Sequence, residues 1–407
     1  MIVSEPSCAK CGACATVCPV YRQSGRESHT ARGKLHLLDV LGLVQASTEF
    51  VDIFSACLLC GACAAICPRS IDITKELIVA RNSFSVVAGP HAYEKYLTRK
   101  LLDYPGSLAG FRVLGKAGQR LIGAHLPERS GLRLRLAMFK EENICQPVVG
   151  EKVLPPVLPA KSKTMNWFPG CAARYLFPDT LSSCRSLVAD LALDLVFSDA
   201  LACCGLADLM AGDIKGARKK GRRNIEILER TEGTILVSCT SCFTQLLNYP
   251  KLFDDDREWQ QRAEEVVSRL LELSAFLEGA ERRENVPQQR VAKRLRVFYH
   301  DPCHMRHNSE ILDNSRTLLR KTGRVEILEL EDGPCCCGQG GLFHIAHPEI
   351  SARIRDQLVE DVLSLQPDVV TTSCSGCLMQ WQQGVAAAGS RVQVLHLAQL
   401  LELLKTE

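Results

Sequence analysis

The chain has no apolar run near the roughly 20 residues that cross a bilayer, so a span through a membrane is not expected. Its opening, Met1-Ile-Val-Ser-Glu-Pro-Ser-Cys8, has neither the basic stretch nor the apolar core of a secretory signal. A cytoplasmic, reducing setting is therefore expected. The net charge is only +3 over 407 residues. No arginine-rich arm and no aromatic–basic stripe is present, so nucleic acid is not an expected partner. No dinucleotide fingerprint follows the first strand, and no flavin site is evident. There is no Ser/His/Asp set and no paired-carboxylate constellation either. These absences leave the chain without residues to oxidise an organic substrate by itself.

Cysteine is what the chain has in excess, with 21 residues. In a reducing compartment such thiols are metal ligands more often than disulfides. Cys8-Ala-Lys-Cys11-Gly-Ala-Cys14-Ala-Thr-Val-Cys18-Pro19 recurs as Cys57-Leu-Leu-Cys60-Gly-Ala-Cys63-Ala-Ala-Ile-Cys67-Pro68. Each copy reads C-x2-C-x2-C-x3-C-P, the spacing that holds cubane [4Fe-4S] clusters in bacterial ferredoxins, where the fourth cysteine serves the other cluster. Cys8, Cys11, Cys14 and Cys67 are thus expected on one cubane. Cys57, Cys60, Cys63 and Cys18 are expected on the second. Gly12 and Gly61 allow the backbone to approach inorganic sulfide closely. A structural zinc site is the alternative, but zinc rarely takes eight cysteines in this paired arrangement.

The expected organisation is α+β and multidomain. Residues 1–84 form a helical two-cluster ferredoxin-like domain, with a helical insert over 35–55. Residues 85–163 hold a basic helical segment and a linker. The basic part runs from about 85 to 142 and includes Lys95, Arg99, Lys100, Arg112, Lys116 and Arg120. It reads as a solvated helical face. The sharper reading is a docking surface for an acidic partner, or a peripheral contact with the inner face of the cytoplasmic membrane. Pro147, Pro155, Pro156 and Pro159 make the linker at 145–163 extended.

Beyond the linker the chain repeats itself, over 164–290 and 291–407. In each copy strands alternate with helices, which argues for parallel α/β layers. The strand at Met165–Phe168 leads to Cys171, that at Leu193–Phe197 to Cys203-Cys204-Gly205, and that at Thr234–Val237 to Cys239 and Cys242. In the second copy, Arg296–His300 leads to Cys303, Val325–Leu328 to Cys336-Cys337-Gly338, and Asp368–Thr372 to Cys374 and Cys377. Ligands of parallel sheets gather at the carboxyl ends of strands. Each set of five thiols can therefore converge on one point. Five exceed the need of a simple cubane, and an adjacent pair can bridge neighbouring irons. The alternative is a buried cysteine set with no metal.

The C-x(n)-C-C-G-x(m)-C-x-x-C pattern resembles the CCG domain of heterodisulfide reductase catalytic subunits. It also resembles the iron–sulfur subunits of glycolate oxidase, D-lactate dehydrogenase and anaerobic glycerol-3-phosphate dehydrogenase. A ferredoxin-type start followed by two CCG domains is similar to those subunits across nearly the whole chain, and Arg32-Gly33-Lys34 is similar to a basic element of that family. The resemblance implies non-cubane [4Fe-4S] clusters on Cys171, Cys203, Cys204, Cys239 and Cys242, and on Cys303, Cys336, Cys337, Cys374 and Cys377. It implies an electron-transfer subunit of a flavin-dependent dehydrogenase for a 2-hydroxy acid such as D-lactate or glycolate. FAD would sit on a partner subunit, and a quinone or an electron-transfer protein would be the acceptor. Glycolate oxidase subunits often lack part of the second set, which is complete here. That pulls toward the D-lactate dehydrogenase or heterodisulfide reductase types.

Two rival readings remain. One is a heterodisulfide reductase-like thiol–disulfide oxidoreductase, and the other is a non-catalytic metal scaffold. Cys145 and Cys184 are expected in cores, and Cys335 as a spare ligand. His300, His304 and His307 flank Cys303 and are expected to donate hydrogen bonds near a cluster. The glycines of Gly338-Gln-Gly-Gly341 are expected to permit close approach to it.

Overall fold

The computed structural model describes residues 8–42, 47–84, 89–104, 106–122, 163–281, 294–308 and 313–406. Most of the expected linker, and with it Cys145, lies outside them.

The N-terminal part is helical. Thr30 starts the Ala31–Leu41 helix by accepting from the Gly33 N–H at 2.9 Å. Ser47 caps Thr48–Ser55 through Phe50 N at 3.2 Å, and Asp72 caps Ile73–Asn82 through Lys75 N at 3.1 Å. These caps fix three helix starts around a small core of Phe50, Phe54, Leu77 and Phe84. Met210, from far along the chain, completes that core.

The two repeats form two four-stranded parallel sheets. The first contains β1 (Lys163–Phe168), β2 (Leu193–Val196), β3 (Ile235–Val237) and β4 (Leu270–Glu272), in the order β2-β1-β3-β4. The second contains β5 (Leu295–Tyr299), β6 (Val325–Leu328), β7 (Val369–Thr372) and β8 (Gln393–His396), in the order β6-β5-β7-β8. The central strand β3 reads as an unbroken apolar run, as expected of a parallel strand buried on both faces. Ile235, Leu236 and Val237 are all fully buried.

The sheets share one core. Trp167, Leu195 and Leu236 of the first pack with Val297, Val369 and Leu395 of the second. Helices are exchanged reciprocally across the junction. Leu397–Thr406, the last helix of the second repeat, lies on Pro178–Ala189 of the first. Leu273–Glu281 of the first lies on Asn314–Lys321 of the second. Reciprocal pairing of equivalent parts is the signature of a two-fold relation. It places the carboxyl ends of both sheets, and so both cysteine sets, at the junction. Cys184 is fully buried in this shared core, as expected for a cysteine without a ligand role.

The first helix of the basic segment departs from expectation, while residues 123–142 of that segment lie outside the described residues. The Ala92–Asp103 helix docks on the first repeat. Arg99 pairs with Asp208 at 3.2 Å and with Asp213, and Lys220 pairs with Asp103 at 2.5 Å and Asp208 at 2.7 Å. Lys95 is buried. Lysines and arginines at this spacing look solvated in sequence, yet their acidic partners lie over a hundred residues away. Among the described residues no helix is long and apolar enough to cross a membrane.

Candidate metal centres

Both ferredoxin-type motifs fold into the same loop. Lys10 and Leu59, two residues after the first cysteine of each copy, adopt φ of 54° and 49°. Gly12 and Gly61 adopt φ of 88° and 81°. Left-handed non-glycine residues carry strain that only a surrounding constraint maintains. The curled backbone turns its N–H groups inward: Lys10 N donates to Cys8 Sγ and Leu59 N to Cys57 Sγ, each at 3.4 Å.

The loops enclose two cavities. Cys8, Cys11, Cys14 and Cys67 line the outer one, beside Gly12 and Arg32. Cys18, Cys57, Cys60 and Cys63 line the inner one, with Gly61, His29 and Lys34. Four thiols, inward N–H groups and glycines that leave space fit a cubane at each cavity. The two cavities adjoin, since Cys14 of the outer set raises the pKa of Cys63 of the inner one. Burial contributes most, and the Cys63 thiol is pushed up to about 12.

The five cysteines of each repeat also converge, in the same sequence of contacts. In the first repeat Cys171 Sγ lies 3.7 Å from Cys203 Sγ. Cys203 touches Cys204, Cys204 touches Cys242, and Cys242 touches Cys239. In the second, Cys303 touches Cys336, Cys336 touches Cys337, Cys337 touches Cys377, and Cys377 touches Cys374. Hydrogen bonds from neighbouring thiols, Cys171 first and then Cys204, hold Cys203 well below the usual thiol range. Cys336 is held down in the same way by Cys303 and Cys337. The first set thus favours the thiolate, the form that binds metal, at Cys203 and also at Cys239, where Cys242 and then Cys374 act, and the second set favours it at Cys336. Gly205 at φ 85° and Gly338 at φ 83° follow the adjacent pairs. Gly338 N donates to Cys336 Sγ at 3.4 Å.

The four sites form one row. Cys60 of the inner cavity packs with Cys303 and Cys336 of the second repeat, around Val20, Leu58 and Phe343. Across the two-fold junction Cys374 contacts Cys239. Thr240 N donates to Ser373 O at 3.0 Å, Thr240 Oγ1 lies 2.7 Å from Ser373 Oγ, and Ser241 Oγ lies 2.9 Å from Cys374 Sγ. The order is outer cavity, inner cavity, second-repeat set, first-repeat set.

Residues 165–247 and 297–382 match the cysteine-rich CCG domain, and residues 6–71 match the 4Fe-4S dicluster domain. The chain thus carries two CCG domains behind a 4Fe-4S dicluster domain. A probable glycolate oxidase iron-sulfur subunit of Bacillus subtilis is 26% identical over 97% of this chain and 93% of its own length. Lactate utilization protein A of Geobacillus is 26% identical over 58% of this chain and 98% of its own. The same-named protein of Anoxybacillus flavithermus is 29% identical over 53% and 89%. This CCG-domain chain is therefore similar to one relative along its whole length and to others over about half of it.

Several residues outside the motifs shape the row. Arg81 is buried and donates to the carbonyls of Phe54 at 3.0 Å, Ser55 at 3.2 Å, Cys57 at 2.7 Å and Met210 at 2.5 Å. It ties the second cysteine loop to the first repeat. His347 Nε2 meets Ser55 Oγ at 2.7 Å and ties the same loop to the second repeat. Burial pushes His347 down to about 3. Lys34 is wholly buried. Burial lowers it to about 8, while Cys57 and Cys18 draw it back up. A solitary Arg or Ser gives no motif signal, and only the Arg32-Gly33-Lys34 element pointed to any of these.

Of the flanking histidines, His300 stands with Cys337 and Cys377 in one compact group. His304 Nδ1 lies 3.3 Å from Ser241 Oγ. The His307 side chain is outside the described residues. Cys335 stands apart from the five-thiol set, with its Sγ 3.8 Å from Gly333 O.

Proposed function

We propose that this chain is the iron–sulfur electron-transfer subunit of a 2-hydroxy-acid dehydrogenase complex. The substrate would be D-lactate or glycolate, oxidised on a partner subunit that carries FAD, with a quinone or an electron-transfer protein as acceptor. The observation that carries the reading is the row of four thiol sites. The names of its relatives, glycolate oxidase iron-sulfur subunit and lactate utilization protein A, support the substrate class.

In this reading Cys8, Cys11, Cys14 and Cys67 hold the outer cubane, and Cys18, Cys57, Cys60 and Cys63 the inner one. The two CCG sets, Cys303, Cys336, Cys337, Cys374 and Cys377 and then Cys171, Cys203, Cys204, Cys239 and Cys242, hold non-cubane clusters. The domain limits at 84, 163 and 290 belong to the same reading. Clusters supply one-electron storage, which drains a flavin reduced by two electrons. The protein's part is positioning. Arg81 and Ser55 fix the inner cavity against both repeats, and the Thr240–Ser373 pair fixes the two CCG sets against each other.

The test uses anaerobically purified full chain, with iron and sulfide analysis and electron paramagnetic resonance. Mixing with a co-purified flavoprotein and D-lactate or glycolate follows. About sixteen irons per chain, four for each site, and bleaching on substrate addition are expected. Loaded clusters that no hydroxy acid and flavoprotein can reduce would sink the proposal. The thiol–disulfide alternative needs a substrate to reach the CCG thiols, of which all but Cys171 and Cys303 are buried. A thiol-dependent change in the cluster spectrum would favour that alternative.

A further inference from the structure

The two ferredoxin-type cavities differ in their charge surroundings although their loops are alike. Two cations line the outer cavity, Arg69, which is exposed, and Arg32. Its guanidinium is 30% exposed and paired with Glu27 at 2.6 Å, so solvent and a carboxylate both offset it. At the inner cavity stand two buried cations, Lys34 and Arg81. Lys34 lines the cavity itself with Cys18, Cys57, Cys60 and Cys63. Its Nζ donates to His29 O at 2.5 Å, which fixes its position. Arg81 donates to the carbonyl of Cys57. The charges that face Lys34 are the thiols of Cys57, Cys18 and Cys63 and the guanidinium of Arg81. Among the described residues neither cation pairs with a carboxylate.

A buried cation without an acidic partner is costly unless something negative compensates it. Among the described residues the cysteine site is in place to do so. A cubane on four thiolates is anionic, and it gains a further negative charge on reduction. A fixed neighbouring cation therefore favours the reduced form, and weak solvent screening strengthens that preference. Burial alone acts the other way, by disfavouring the more highly charged state. Without its cations the inner site would be the harder of the two to reduce.

We propose that Lys34 is a potential-setting residue that makes the inner site the more easily reduced member of the ferredoxin-type pair. Arg81 adds to the same field. The equilibrium between the two cavities then lies toward the inner one, which is the side that touches the CCG sets. This rests on the assignment of Cys18, Cys57, Cys60 and Cys63 to one cubane.

The test is a redox titration followed by electron paramagnetic resonance on the full chain. The inner signal is the one that Cys60→Ser alters. In the wild-type chain it should titrate at higher potential than the outer one. In Lys34→Met, which keeps length and apolar packing, its reduction constant should fall about tenfold, 59 mV for one electron. The outer signal should shift less. Lys34→Gln provides a second uncharged variant should Lys34→Met lose iron. Retained iron with an unmoved inner midpoint in either variant overturns the proposal, as does a wild-type order with the inner site lower. A wild-type chain with no cubane signals would overturn the cluster assignment instead.

Discussion

Gly170 holds φ 79° and ψ 160°, a region that essentially only glycine occupies. A Cβ there would stand 3.0 Å from Cys242 Sγ. Gly170→Ala should therefore cost about 1–3 kcal/mol and displace a thiol of the first-repeat set. The expected result is a loss of about four irons per chain, with both cubane signals intact. Glu272, the last residue of β4, shows a different single-residue effect. It is fully buried, and burial pushes its carboxyl up to about 7, although the Ser274 hydroxyl and the N–H groups of Ser274 and Ala275 partly counter this. Its Oε1 has no partner among the described residues. The native state thus binds a proton that the unfolded chain has already released between the ordinary value of 4.5 and about 7. Stability from this group is full below the lower value, falls across the window and stays low above it. Glu272→Gln should raise the thermal midpoint at pH 8 and leave little difference at pH 4.5. An equal effect at both pH values would show that the carboxyl is not the cause.

At the scale of elements, the Ala92–Asp103 helix is held by charges that sequence pattern reads as solvated. Asp208 lies between Arg99 and Lys220, and its side chain is only 2% exposed. Asp208→Ala takes one buried partner from each cation, which keep Asp213 and Asp103, so it should cost about 3 kcal/mol, the low end for a broken buried pair, in denaturant unfolding. Asp213→Ala removes a more exposed partner and also the cap on the Ile214–Leu228 helix. Its cap contribution is about 1 kcal/mol, so a loss equal to that of Asp208→Ala would contradict this ranking. Strands were legible wherever an apolar run ended at a cysteine, as at Val325–Leu328 before Cys336. The fourth strand of each sheet was not. β4 and β8 are three and four residues long and run directly into helices at Leu273 and Leu397, with no glycine or proline to mark the boundary. They bear no cysteine, so the metal pattern did not point to them either.

For the whole molecule, the grouping of thiols within each motif followed from spacing, because loop geometry is local. The row did not. Cys60 meets Cys303, Arg81 meets Met210 and Ser373 meets Thr240 only through packing of distant segments, and none of these pairs leaves a periodic trace. The row also has a consequence that no single site shows. Among the described residues the second-repeat set is the one that touches both the inner cavity, through Cys303 and Cys336, and the first-repeat set, through Cys374. Cys377→Ser removes a thiol from that set without touching either neighbour. If the row conducts, electrons that enter at one end of this variant stop at the gap. Rapid-freeze electron paramagnetic resonance after mixing with reduced flavoprotein should then find reduced centres on one side of the second-repeat set, and on both sides in the wild-type chain. Equal and equally fast reduction on both sides in the variant would mean that the first-repeat set receives electrons by a route of its own, and that its contact with Cys374 serves the fold alone.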